Sequence, residues 1–87
     1  MTLDFDPDAL IPPELREHWV WMPTNHWLKG PPFFVIMTQV FDSRVYNFTS
    51  TGIFAEGAGQ TAREAAEDAI AIALEKERMH PVQSTDR

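Results

Sequence analysis

Hydrophobic and polar positions follow a clear helical rhythm in one stretch of the chain, residues 62–78. Wound at about 100° per residue, Ala62, Ala65, Ala66, Ala69, Ile70, Ile72, Ala73 and Leu74 fall in one arc of about 200°. Thr61 sits where an N-cap is expected, and Glu64 follows three residues later, the spacing of a capping box. Glu64, Glu67 and Asp68 lie near the start and Lys76 and Arg78 near the end, which suits the helix dipole. Pro81 stops the pattern. The many alanines allow this helix to lie close to a sheet.

Upstream the rhythm changes to that of strands. Residues 33–41 are rich in aromatic and β-branched side chains and contain neither Gly nor Pro, which predicts the strongest strand. Asp42, Ser43 and Arg44 make a short turn, and residues 45–51 return as the second arm of a hairpin. Gly52 marks a bulge or a break, and residues 53–55 continue this strand or open a short third one before Gly57 and Gly59 end it. Trp19, Val20, Trp21 and Met22, bounded by Pro23, predict a brief strand. Pro12 and Pro13 open a short helix over about residues 13–18, since proline is well tolerated in a first helical turn. Residues 24–32 are turn-rich and finish in Gly30-Pro31-Pro32. The expected fold class is therefore α+β: a short N-terminal helix, then an antiparallel three-stranded sheet with a C-terminal helix packed on one face. Residues 1–11, with Asp4, Asp6 and Asp8, are expected as a loose acidic arm, residues 12–80 as the domain, and residues 81–87 as a loose tail.

The strand over 33–41 raises a packing question. One face carries Phe34, Ile36, Thr38 and Val40; the other carries Phe33, Val35, Met37, Gln39 and Phe41. Both are largely apolar, and one helix covers only one of them, so the second face needs another cover. Either Trp19, Trp21 and Trp27 fold over it, or a second copy or another protein does. The face holding Phe33, Val35, Met37 and Phe41, together with the three tryptophans, is the expected partner-binding surface, because large exposed apolar patches mark interaction sites.

Composition narrows the function classes. A chain of 87 residues allows one domain, and 44% hydrophobic residues is a globular value. With no cysteine there is no disulfide, no thiolate metal ligand and no cysteine nucleophile, which fits a reducing, cytoplasmic setting. No stretch approaches the roughly 18–20 apolar residues of a membrane span, and the first residues lack the basic and apolar regions of a signal peptide. The net charge of −6 repels free nucleic acid at long range and attracts a basic protein.

Catalytic chemistry finds little support. His18, His26 and His80 are scattered, none at metal-ligand spacing from a second ligand. No serine lies in a nucleophile-elbow context. The run Gly57-Ala58-Gly59-Gln60-Thr61 opens a helix but lacks the Gly-Lys-Ser/Thr ending of a P-loop and the third glycine of a dinucleotide fingerprint. The expectation is a non-enzyme with no cofactor and no metal.

The run Gly57-Ala58-Gly59-Gln60-Thr61-Ala62-Arg63-Glu64-Ala65-Ala66, continued by Ala69, Ala73 and Leu74, resembles the final loop and helix of double-stranded-RNA-binding domains. Gly30-Pro31 resembles that family's loop before its second strand. The resemblance implies an α-β-β-β-α architecture. The family's phosphate-gripping lysines fall on Ala62, Arg63 and Ala66, so two of the three charges are absent. The outward arc of the helix sets Arg63 and Arg78 against Glu64, Glu67, Asp68 and Glu75, a surface that repels phosphates. The opening Thr61-Ala62-Arg63-Glu64-Ala65 is also similar to the helix start of HicB-type antitoxins, acidic proteins that neutralise a small basic toxin, and serves as an analogy for mode of action. The expected function is a small acidic regulator, inhibitor or accessory subunit that binds another protein, basic in character, or a second copy of itself. The alternative is a degenerate double-stranded-RNA-binding-type module touching nucleic acid through Arg16, Lys29, Arg44 and Arg63.

Overall fold

The computed structural model describes residues 3–44 and 49–82. Its elements run α1 (Pro7–Leu10), a 3-10 turn (Pro13–Leu15), β1 (Trp19–Trp21), β2 (Phe33–Val40), β3 (Ser50–Gly59) and α2 (Ala62–Met79). The strands form one antiparallel sheet in the order β1-β2-β3, with α2 packed along one face. Registers pair Trp19 with Gln39, Trp21 with Met37, Val35 with Gly57 and Thr38 with Phe54. This is the α+β order that the sequence predicts.

α2 starts where its caps dictate. Thr61 Oγ1 accepts the Glu64 amide at 3.0 Å, and Glu64 Oε1 reaches back to the Gln60 amide at 3.0 Å. The carboxylate thus engages the residue before the N-cap, one position earlier than the reciprocal pattern of a capping box. At the far end Lys76 and Arg78 stand in the last turn, beside the exposed carbonyls. The buried stripe of α2 is all alanine: Ala62, Ala65, Ala66, Ala69 and Ala73. Such a stripe permits backbone-to-backbone approach, and β3 exploits it with Ala55, Gly57 and Gly59 on the facing side. A β-carbon added at Gly57 would lie 2.8 Å from Ala69 Cα and closer still to the Ala65 carbonyl oxygen and the Ala69 nitrogen.

That close approach decides which face of β2 is covered. Val35 and Met37 are fully buried beneath α2, Phe33 packs at the edge of the same core, and Ile11, Leu15 and Trp19 complete it. Gln39 faces the same way, and its amide is fully used. Its nitrogen donates to Glu77 Oε1 at 3.1 Å and to the His80 carbonyl at 2.8 Å, and its oxygen accepts from Thr51 Oγ1 at 2.7 Å. Trp19 Nε1 donates to the same Glu77 oxygen at 2.8 Å. One glutamate of α2 therefore holds β1 and β2 together beneath the C-terminal end of the helix.

Three expectations change. The segment 1–11, expected as a loose arm, is packed over its described part. Pro7–Leu10 form α1, Ile11 enters the core, the Pro7 carbonyl accepts from Trp21 Nε1 at 2.9 Å, and Phe5 meets the Trp27 ring edge-on at 6.2 Å. The physical reason is aromatic: Trp21 and Trp27, themselves edge-to-face at 4.9 Å, leave apolar surface that the arm removes from water. The helix expected over 13–18 is only the 3-10 turn Pro13–Leu15, because β1 begins at Trp19 and its backbone is taken by the sheet. The strand expected from 45 has its first part, residues 45–48, outside the described residues. Its continuation is one strand, Ser50–Gly59, carried past Gly52 at φ 92° with a register irregularity opposite Thr38 and Val40. Of the tail, residues 83–87 lie outside the described residues.

Candidate functional site

The face of the sheet turned away from α2 is built from the even positions of β2 and the residues beside them. Towards the β2–β3 connection it is closed: Thr38 and Val40 are fully buried, and the Thr38 hydroxyl lies 2.6 Å from that of Ser50. Towards the start of β2 it is open. Phe34, near the start of β2, is 55% exposed, and Phe54, across from the buried Thr38, is 44% exposed on β3, with Ile36 and Val20 half-buried between and beside them. Ile36 pairs with Glu56, and Phe34 with Ala58, so a carboxylate stands beside an apolar strip. Glu56 is exposed, and among the described residues no lysine or arginine occupies a strand position on this face. Lys76 reaches the β3 edge but is held on the Phe54 carbonyl at 2.6 Å.

The strip is rigidly mounted. β1 ends at Trp21, yet pairing continues past it: the Met22 amide donates to the Ile36 carbonyl at 2.9 Å. Asn25 then acts as a piece of strand, donating to the Ile36 carbonyl and accepting the Ile36 amide, both at 3.0 Å. The β3 edge is tied from α2, where Asp68 accepts the Ala58 amide at 3.0 Å. Among the described residues every buried side-chain nitrogen and oxygen has a partner.

The residues expected to bind a partner lie elsewhere, and this is a correction. Trp19, Val35 and Met37 are core residues with no accessible surface to offer. Trp21, Trp27 and Phe33 are partly buried against that core, on the same side as α2. Of the seven, Phe41 alone is largely exposed, at 52%, near Met79 and His80 at the far end of the sheet. The tryptophans therefore do not cover the second face. The physical reason lies in β3, whose small residues occupy the parity that faces the helix. The residues that form the open face, Phe34, Ile36, Phe54 and Glu56, were not singled out from sequence. The parity of Ala55, Gly57 and Gly59 against the alanine stripe points Phe54 and Glu56 away from the helix; placing Phe34 and Ile36 beside them takes the strand register.

The four cations of the nucleic-acid alternative are not gathered. Arg16 and Arg44 stand at the end of β2, where Ser43 Oγ donates to the Arg16 carbonyl at 2.6 Å. Lys29 and Arg63 belong to the opposite end, where Gly30 and Ala62 line one groove. Arg44 makes a two-point contact with Asp42, at 3.0 and 3.1 Å, and these hydrogen bonds hold the Asp42 carboxyl below its ordinary value. Arg63 Nε donates to Glu67 at 3.3 Å, and Arg16 donates weakly to the Ala9 carbonyl at 3.4 Å. Among the described residues no group of three His, Asp or Glu side chains is placed to hold a metal ion, and no helix is long and apolar enough to cross a membrane. No family model, no curated protein and no solved structure matches the chain.

Proposed function

We propose that the chain is a small acidic protein-binding module, acting as a regulator, inhibitor or accessory subunit without chemistry of its own, and that it engages its partner through the open sheet face. The observation that carries this reading is the pair Phe34 and Phe54, half exposed on a rigid sheet. Burying a phenylalanine side chain is worth roughly 1.5–3 kcal/mol, so two of them with Ile36 form a usable anchor. The net charge of −6 favours a basic partner and speeds its approach. A duplex-RNA role has less support, because Arg44 and Arg63 are occupied by carboxylates of the same chain.

The test is affinity capture from native cells with the wild-type chain and with Phe34→Ser/Phe54→Ser. Both side chains are largely outside the core, so the double variant keeps its fold by circular dichroism. Loss of a specific bound protein in the variant supports the reading; the same bound set with both chains refutes it.

A further inference from the structure

We infer that the occupant of the open face is a basic amphipathic helix of another protein, laid along the sheet with its apolar stripe on Phe34, Ile36 and Phe54 and a lysine or arginine at Glu56. This rests on the protein-binding reading above and specifies the shape and charge of what binds.

Shape comes first. Three strands at about 4.8 Å spacing give a face about 10 Å across between the outer strand axes. Its open part runs from Phe34 on β2 to Phe54 on β3, which pairs with the buried Thr38, a span of four strand residues or roughly 13 Å at about 3.3 Å per residue. A standard interface between globular domains takes about 800 Å² from each side, far more than this patch offers. An α-helix is about 10 Å in diameter with its side chains and matches the width. On the opposite face of the same sheet a helix already lies this way: α2 runs along it on a stripe of small apolar residues, with Ile11, Leu15 and Trp19 filling in beside it.

Charge then separates a foreign helix from a second copy. Two copies meeting through this face would each bring an exposed Glu56 and a net charge of −6, with no lysine or arginine at the described strand positions of the face to pair with them. Like charges in a desolvated contact oppose such a pairing. A foreign helix with a cation beside its apolar stripe meets both the carboxylate and the apolar strip. Among the described residues Glu56 has no ion pair with Lys76, whose ammonium donates to the Phe54 carbonyl.

The experiment uses the full chain, isotopically labelled, and two synthetic peptides of about 18 residues, the length of α2. Both carry the same Ala/Leu stripe; one has lysines flanking it and the other glutamates. Amide shifts are followed by NMR during titration, and the mass of the free chain is taken by light scattering. The expected result is saturable binding of the lysine peptide with shifts centred on Phe34, Ile36, Phe54 and Glu56. Its affinity should exceed that of the glutamate peptide by roughly three-fold or more. Glu56→Gln should weaken it by about two- to five-fold, Glu56→Lys should reverse the preference, and Phe34→Ser should remove binding. Equal binding of both peptides, shifts centred on α2 or on Phe41 and Met79, or a dimer in the free chain would each overturn the inference. If no peptide binds while partner capture still depends on Phe34 and Phe54, the docking face stands and the helix is refuted.

Discussion

Gly57→Ala adds one methyl group where the sheet meets α2 backbone to backbone. In an open strand position this substitution would be neutral or favourable, because alanine restricts the unfolded chain and gains about 0.4–1 kcal/mol. Here the new carbon would stand 2.8 Å from Ala69 Cα and nearer to two other backbone atoms of α2, against an ordinary contact of about 3.5–4 Å. The helix must retreat by roughly 1 Å, opening the seam formed by Ala65, Ala69, Val35 and Met37. Overpacking of this kind costs about 1–3 kcal/mol, and three clashes with rigid backbone put Gly57→Ala at the upper end. For a domain of this size that lowers Tm by roughly 12–24 °C. Chemical denaturation of both chains at equal m-value measures it. Because the clashing atoms are main chain, Ala65→Gly or Ala69→Gly should not rescue the variant. An unchanged or raised midpoint, or full rescue by either glycine, would refute the close approach on which the choice of sheet face rests.

Thr61→Ala removes the acceptor of the Glu64 amide and should cost about 1 kcal/mol in denaturant melts, with Thr61→Asp near wild type. Glu77→Ala strips the shared acceptor from the Trp19 indole and the Gln39 amide. With Trp19 only 1% exposed, the orphaned donors should cost about 1–3 kcal/mol by the same measurement, and Glu77→Gln less. Duplex RNA at about 50 mM salt should bind weakly or not at all in gel shifts, and a submicromolar affinity would contradict the low cationic character of the helix face. Ala62→Lys/Ala66→Lys is a poor rescue, because both alanines are buried against the sheet; their cost in stability, read from melts, should exceed any gain in RNA affinity.

Local chemistry alone determined a good part of this protein. The cap at Thr61, the acidic start and basic end of α2, its alanine stripe and the stop before Pro81 are short-range signals, and α2 spans Ala62–Met79 accordingly. The β2 strand is equally plain in its run of aromatic and β-branched residues, and so is the order of helix, three strands and helix. What the tertiary structure decided is which side of β2 faces the helix. Both faces of β2 are apolar, so its own pattern is nearly symmetric and leaves the question open. The deciding residues, Ala55, Gly57 and Gly59, lie some twenty positions away on β3 and act only through register, by letting α2 come close on one side. The same holds for residues 3–11, whose polar pattern predicts a loose arm and whose Phe5, Pro7 and Ile11 are recruited by the distant Trp21 and Trp27. Helix and strand signals travel a few residues along the chain, whereas the side a strand buries is fixed by contacts between residues far apart in sequence. For that reason the open face with Phe34 and Phe54 emerges only when the strands are paired.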